Sequence, residues 1–262
     1  MNILDFQQKK HQEKKITLLT CYDYFSARII DATAIDCVLV GDSGGMVMQG
    51  YPNTTPVTIN DMVIYTKAVA RGTTKFIIAD MPFFSYRRGL KSGCDAAVQL
   101  IQAGAHAVKI EGAHGNEKLI EHFVTSGIPV MGHIGMTPQA IHQLGGNRVQ
   151  GKVAEDAKDL LNQANILQQA GCFSLVIECV PWPLAKQITE QISIPTIGIG
   201  AGPYTSGQVL VLQDMLGLQT ELGPKFVKQY LDGMTLVKKA IDRYVTEVTT
   251  LVYPSVSEES YS

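Results

Sequence analysis

Five times in this sequence an apolar run stops on a side chain that can ionise: V-L-V-G-D at Asp42, F-I-I-A-D at Asp80, A-V-K-I-E at Glu111, P-V-M-G-H at His133 and L-V-I-E at Glu178. Short, nearly continuous runs of Val, Ile and Leu are how strands read when both faces are buried, which is the condition of a parallel sheet under helices. A polar residue at each exit gathers chemistry at one end of that sheet, the end where parallel α/β proteins bind ligands. In the stretch from Ala107 to Gly112, Lys109 and Glu111 stand two apart, so a pleated strand turns both to one face. That face holds either an internal ion pair or part of a site.

The alternation runs the length of the chain. Residues 3–12 open with Ile3, Leu4 and Phe6 before a polar tail, a short helix suited to closing the bottom of a barrel. Strands are expected at 16–21, 37–40, 76–79, 107–110, 128–131, 173–177, 194–199 and 209–212. T-x-x-D at Thr58–Asp61 reads as a capping box opening a helix with Met62, Val63 and Val69 near one face, and Ser92–Asp95 repeats the pattern before Ala96, Ala97, Leu100 and Ile101. Further helices are expected at about 116–124, at 153–170 with a stripe of Ala157, Leu160, Leu161, Ala164 and Leu167, from Pro183 onward, and at 235–248 with Leu236, Val237, Ala240, Ile241 and Val245 packing. Eight strands separated by helical segments in 262 residues favour a closed (β/α)8 TIM barrel over an open doubly wound sheet. An additional N-terminal helix and a C-terminal helical extension complete a single domain over residues 1–262. The connection 135–152, rich in Gly, Gln and Asn, exceeds most βα loops and is either a lid or binding loop, or a surface excursion.

Composition removes whole classes of partner. The formal net charge is −2, with no long block of like charge, so neither nucleic acid nor an anionic membrane finds an electrostatic footprint. No apolar run reaches the roughly 18 residues of a spanning helix, and M-N-I-L-D-F-Q-Q-K-K lacks the hydrophobic region of a signal peptide, so the cytoplasm is the expected location. The cysteines at 21, 37, 94, 172 and 179 lack a C-x-x-C spacing and read as buried free thiols.

Asp42, Asp80 and Glu111 end the second, third and fourth strands, which are neighbours in a barrel. Three carboxylates converging there repel one another unless a cation holds them. An oxygen set without Cys or His suits a hard ion, Mg2+ first, with open positions for water and a chelating substrate; the alternative is separate caps on helix N-termini. Lys109 is then a partner for a substrate carboxylate, or only a counter-charge for Glu111. Ser43 donates to a ligand or caps the next turn, and His133 is a ligand contact or a satisfied structural imidazole. Glu178, between Val176 and Val180 and near Trp182, is expected nearly across the barrel from the acidic group, partly desolvated, as a general base or a buried acid with a donor partner. A cation on one side and a base on the other is the arrangement that removes a proton alpha to a carbonyl and holds the enolate. G-I-G-A-G at 198–202 has the wrong spacing for a dinucleotide fingerprint and reads as a backbone-lined pocket floor.

Six segments, taken together and in order, resemble the signatures of the ketopantoate hydroxymethyltransferase family: G-D-S-G-G-M-V-M-Q-G at 41–50, A-D-M-P-F-F-S-Y at 79–86, V-K-I-E-G at 108–112, G-H-I-G-M-T-P-Q at 132–139, I-E-C-V-P at 177–181 and I-G-I-G-A-G at 197–202. The resemblance runs from about Lys14 to Pro254. It implies transfer of a hydroxymethyl group from the co-substrate 5,10-methylenetetrahydrofolate to 3-methyl-2-oxobutanoate, giving 2-dehydropantoate in pantothenate and coenzyme A biosynthesis. It implies one Mg2+ per subunit and a homodecamer of two pentamers. By the same resemblance Asp42 and Asp80 bind the metal, Glu111 completes the acidic site through water, Ser43 and Lys109 contact the oxo acid, His133 lies beside it, and Glu178 is the base. No segment identifies the residues that bind folate.

The sequence departs from that family at Gly44, where leucine is common, and at Gln213, where histidine is common. The first is expected to loosen the turn beside Ser43. A related barrel group, the isocitrate lyase and phosphoenolpyruvate mutase enzymes, also binds Mg2+ and stabilises an enolate. Its lyase members carry a cysteine-bearing active loop, and residues 135–152 contain no cysteine.

Overall fold

The computed structural model describes residues 1–219 and 223–261. Eight parallel strands close in sequence order into a barrel: β1 (Ile16–Thr20), β2 (Cys37–Val40), β3 (Phe76–Asp80), β4 (Ala107–Glu111), β5 (Val130–Gly135), β6 (Ser174–Glu178), β7 (Thr196–Ile199) and β8 (Gly207–Leu210). Closure is direct, since β8 pairs with β1 at Ile16 and Gly207 just as β1 pairs with β2 at Leu18 and Cys37. The helices are α1 (Ile3–His11), α2 (Tyr24–Asp31), α3 (Gly44–Val47), α4 (Ile59–Gly72), α5 (Leu90–Gln102), α6 (Glu117–Thr125), α7 (Ile141–Leu144), α8 (Ala154–Gln169), α9 (Trp182–Gln191), α10 (Leu212–Met215) and α11 (Gly233–Thr249). The chain falls into two compact units, Met1–Val211, which contains the barrel, and Leu212–Ser262, which contains α10 and α11.

The barrel interior is filled from below. Phe6 of α1, capped by an Asn2 and Asp5 box, is fully buried and meets Phe76 and Phe173 edge-on at ring separations of 6.0 and 5.1 Å. Above it, Ile16, Leu18, Cys37, Leu39, Ile78, Ala107, Met131, Val176, Ile197 and Val209 form one continuous apolar core. Lys10 fastens α1 in place by donating from Nζ to the carbonyls of Thr189, Ile192 and Ile194 at 2.9, 2.7 and 2.9 Å, where α9 ends and the chain leads into β7.

The structure corrects several boundaries. Ser92–Asp95 does not cap a helix. Gly89, at φ 104°, leads into α5 two residues before Ser92, whose hydroxyl donates to the Ser85 carbonyl while Asp95 pairs with Lys91. β5 begins at Val130, not Ile128, because Pro129 has no N–H for the ladder, and it continues through His133 to Gly135. The eighth strand is Gly207–Leu210, ending before α10 begins at Leu212, and residues 200–206 join β7 to β8 without a helix. In α11 the expected packing face is solvent-exposed: Leu236, Val237, Ile241 and Val245 are each half exposed or more, and Gly233 is its one buried residue. Cys21, Cys37 and Cys172 are buried free thiols, and Cys94 and Cys179 are partly exposed ones.

Candidate active site

Along four neighbouring strands the inward face turns from apolar to polar in a single step of two residues: Ile78 to Asp80, Ala107 to Lys109, Met131 to His133, and Val176 to Glu178. The first of each pair belongs to the barrel core. Strand periodicity therefore puts the second in the same lumen, one layer nearer the C-terminal end, with Glu111 a layer above Lys109. Asp42 and Ser43 follow β2 directly. Asp42, Asp80, Lys109, Glu111 and His133 are all at most 4% exposed, so their charges answer to one another rather than to water.

The distances show one connected group. The Asp42 backbone N–H donates to Asp80 Oδ2 at 3.1 Å. Lys109 Nζ lies 3.2 Å from Asp80 Oδ1, 3.8 Å from Glu111 Oε1 and 3.2 Å from His133 Nδ1. On its other edge His133 presents Nε2 to Glu178 Oε2 at 3.2 Å, without the alignment of a full hydrogen bond. Ser43 Oγ is hydrogen-bonded to the Tyr22 hydroxyl at 2.8 Å. A Cβ at Gly41 would meet Ser43 Oγ at 2.6 Å and Asp80 Oδ2 at 3.6 Å, which puts that hydroxyl beside the acidic pair.

Electrostatics follows from burial. Asp42 is pushed well above the ordinary carboxylate range by burial, then by the charges of Asp80 and Glu111. Burial likewise raises Asp80, with Lys109 pulling against it. Burial works against the Lys109 ammonium, but Asp80, Glu111 and Asp42 outweigh it and hold the proton above the usual lysine range. His133 is raised as well: burial and Lys109 oppose its protonation, and the carboxylates of Glu111 and Glu178 overcome them. Glu111 is lowered, its burial outweighed by hydrogen bonding to His133 and by the Lys109 charge.

Glu178 leaves β6, four strands round the closed barrel from β2 and three from β3, and is joined to the acidic group through His133. Trp182 is exposed and packs against Tyr204 at a ring separation of 5.3 Å. The Glu178 side chain, 17% exposed, is aimed instead by its backbone. Cys179 sits at φ 49°, a costly conformation for a non-glycine residue, and the Met136 N–H donates to the Glu178 carbonyl at 2.8 Å. Only glycine fits at 135 for that approach: its φ is 95°, and a Cβ would collide with the Glu178 carbonyl.

Four further residues complete the surroundings. The Gln139 backbone N–H donates to Glu111 Oε2 at 3.0 Å, and its Nε2 donates to Asp42 Oδ2 at 2.8 Å and to the Met81 carbonyl at 2.9 Å. The Tyr86 hydroxyl reaches both Gln139 Oε1 and the Glu111 carbonyl. Tyr22 and Tyr65 meet edge-to-face at 5.9 Å over Gly44. Gln139 and Tyr86 stand as the last residues of two segments already singled out, but nothing in their spacing indicates contact with acids contributed by other strands. Residues 135–152 are in part ordered against the site, with a 3-10 turn at Pro138–Ala140 followed by α7. They wall a cavity of about 870 Å³ beside the acidic group, shared with Phe84, Arg87, His114 and Asp159 and reaching Glu111 and Gln139.

Asp42 and Asp80 suit a hard cation. Asp80 Oδ1 and Glu111 Oε1 are buried acceptors whose neighbours, Lys109 and His133, meet them as ion pairs without aligned hydrogen bonds, and an adjacent carboxylate pair of raised pKa is what a dication would relieve. Among the described residues no three His, Cys, Asp or Glu side chains converge as a complete ligand set. Two carboxylates with the remaining positions left to water and substrate is the usual protein share of a Mg2+ shell.

A family model described as ketopantoate hydroxymethyltransferase matches residues 1–256. A 3-methyl-2-oxobutanoate hydroxymethyltransferase of Francisella tularensis subsp. tularensis (strain WY96-3418) is 55% identical over 255 residues, 97% of this chain and 96% of that one. Another, from Coxiella burnetii (strain CbuG_Q212), is 54% identical over 263 residues, 100% of this chain and 99% of its own. Among solved structures, a phosphoenolpyruvate phosphomutase from Streptomyces platensis subsp. rosaceus superposes with a TM-score of 0.63 at 12% identity, covering 100% of this chain and 92% of that one. A 2,3-dimethylmalate lyase does so with a TM-score of 0.63 at 14% identity, covering 99% and 91%. Likeness at such low identity carries the barrel fold and nothing of the chemistry.

Proposed function

The chain belongs to the ketopantoate hydroxymethyltransferase family, and from that premise we propose a role for each buried polar residue at the barrel mouth. The protein is a 3-methyl-2-oxobutanoate hydroxymethyltransferase: it transfers a hydroxymethyl group from 5,10-methylenetetrahydrofolate to 3-methyl-2-oxobutanoate, giving 2-dehydropantoate for pantothenate and coenzyme A biosynthesis. The proposed cofactor is one Mg2+ per subunit, held directly by Asp42 and Asp80 and through water by Glu111. When bound, it supplies a Lewis acid for the 2-oxo and carboxylate oxygens of the substrate, which acidifies C3 and stabilises the enolate.

The remaining steps belong to the chain's own groups. Lys109, kept protonated by three carboxylates, and Ser43, oriented by Tyr22, contact the oxo acid. Water displaces both folate nitrogens from the methylene carbon, its two protons passing to those nitrogens as tetrahydrofolate leaves. Glu178 takes the proton from C3, the electron pair so released forms the bond to that carbon, and the proton held by Glu178 returns to the water-derived oxygen, which becomes the hydroxyl. His133 positions the Glu178 carboxylate and links it to Lys109. The reading rests above all on this link: Glu178 Oε2 lies 3.2 Å from an imidazole whose other nitrogen lies 3.2 Å from the Lys109 ammonium. It supports a base and the acidic group acting in one lumen. A homodecamer and a cytoplasmic location are proposed with it; among the described residues no helix is long and apolar enough to cross a membrane.

Deuterium exchange isolates the proposed step. Enzyme, Mg2+ and 3-methyl-2-oxobutanoate in D2O, with and without a folate analogue lacking the transferable carbon, are followed by proton NMR at C3. Wild type exchanges; Glu178→Gln, nearly isosteric but no base, loses roughly 100-fold to 10,000-fold in exchange and turnover alike. Exchange at the wild-type rate in E178Q without product would move Glu178 to a later step and overturn its assignment.

A further inference from the structure

We propose that Gln139 is a positioning residue that holds Asp42 and Glu111 in the geometry the cation requires, tying the connection 135–152 to the site. This rests on the assignment of Asp42 as a ligand. Gln139 is 7% exposed and commits its backbone N–H and its whole side-chain amide to this task. Its amide nitrogen spans Asp42 Oδ2 and the Met81 carbonyl, its backbone N–H takes Glu111 Oε2, and its own Oε1 is occupied by the Tyr86 hydroxyl. A carboxamide has two donors and one acceptor oxygen, and this one is matched on both sides, so its plane is fixed.

The consequence for Asp42 is directional. Buried among like charges, that carboxylate has two oxygens to distribute; with Oδ2 held at 2.8 Å by Gln139, the lone pairs of Oδ1 are left for another partner. On Glu111 the backbone N–H likewise occupies Oε2, while Oε1 meets His133 Nδ1 at 3.5 Å and Lys109 Nζ at 3.8 Å only as an unaligned ion pair. One loop residue thus engages one oxygen of each acid and leaves the other for ligation, the role that outer partners play around metal sites. Because Gln139 also lines the neighbouring cavity of about 870 Å³, an occupant there bears directly on the residue that sets the ligands.

The test is a direct calorimetric titration of the purified protein with Mg2+, alongside thermal melting. Gln139→Met preserves length and bulk and deletes all three side-chain hydrogen bonds; affinity is expected to fall about 10-fold to 100-fold, as for other outer partners of metal ligands. Tyr86→Phe loosens the same connection but leaves the bond from Nε2 to Asp42, and is expected to keep Mg2+ affinity within about threefold. Asp42→Asn is expected to lose Mg2+ binding. If D42N binds normally, the ligand assignment falls and this inference with it. If D42N fails to bind while Q139M binds like wild type, only the inference is overturned, and equal losses in Q139M and Y86F would show that loop order rather than carboxylate orientation sets affinity. Should Q139M not fold, Gln139→Asn, which keeps an amide one methylene short of Asp42, is read in its place with the same expectation.

Discussion

Replacing Lys109 by methionine is the most demanding perturbation of the charge layer, because it keeps the length and apolar stem and removes only the ammonium. In the structure that ammonium is 3.2 Å from Asp80 Oδ1 and 3.8 Å from Glu111 Oε1, with all three side chains about 4% exposed. At an effective dielectric of about 20, attraction across the shorter distance is about 5 kcal/mol. Measured losses on breaking a buried pair by removing one partner are of the same order, about 3–5 kcal/mol. For a chain of this size that corresponds to a fall in Tm of roughly 6–20 °C when melting is run with chelator. Mg2+ should return much of it, since ligand at 100 times its Kd stabilises by about 2.7 kcal/mol and loss of the competing ammonium strengthens its hold on Asp80. The assay is thermal melting of wild type and K109M with EDTA and across a Mg2+ series, paired with titration of the unreactive oxo acid in the absence of folate. The expected pattern is a larger Mg2+-induced rise in Tm for K109M than for wild type, together with weakened oxo-acid binding. If K109M melts within about 2 °C of wild type in EDTA, the ammonium does not compensate these carboxylates. Equal Mg2+ shifts in both proteins would separate Lys109 from the ion's site, and unchanged oxo-acid affinity would leave it a structural role.

Two further outcomes test the frame around the site. Lys10→Met removes the donor to three carbonyls around the end of α9 and should cost about 1.5–3 kcal/mol in denaturant unfolding, with the enolisation rate unchanged because α1 lies at the opposite end of the barrel. Gly44→Leu should destabilise by about 1–3 kcal/mol and raise the KM for the oxo acid, since a Cβ there meets the rings of Tyr22 and Tyr65 at 2.7 and 2.9 Å and Tyr22 carries the Ser43 hydroxyl; a double-mutant cycle with Tyr65→Ala should recover part of the loss.

The barrel was readable in the sequence because its signal is local. A strand buried on both faces needs apolar neighbours in succession, and Cys37–Val40 or Phe76–Asp80 can hardly be written another way. Seven candidate residues were readable for a related reason: Asp80, Lys109, Glu111, His133 and Glu178 lie at positions where an apolar run breaks, and Asp42 and Ser43 follow one directly. Illegible were the effects of neighbours. Ser92–Asp95 has the letters of a capping box, but Gly89 had already started the helix. The connection 135–152 looked like loop, and its one decisive side chain, Gln139, has partners 28, 58 and 97 positions away. Gly44 suggested a looser turn; the structure places two tyrosine rings over it, so the space of a side chain is filled from β1's exit and from α4. On α11 the hydrophobic period was real, yet it specifies only a face, and that face is exposed in this chain.

The charge inventory of the lumen bears on what it accepts. Asp42, Asp80, Glu111 and Glu178 contribute four carboxylates, against the one ammonium of Lys109 and an imidazole whose proton is favoured by Glu111 and Glu178. Buried charge of one sign is tolerated only when it is matched, and even a protonated His133 leaves the acids in excess. An oxo acid brings another carboxylate, so alone it would worsen the imbalance, and binding near Asp42 and Asp80 becomes favourable only with a positive partner that both the acids and the substrate can share. Taken alone the same excess favours a cation over an anion, so an oxo acid is accepted only through the positive partner it shares with the acids. On the roles proposed above, proton removal and ion holding are kept apart by topology: Asp42 and Asp80 leave β2 and β3 side by side, and Glu178 leaves β6, four strands round the barrel from β2 and on the far side of His133.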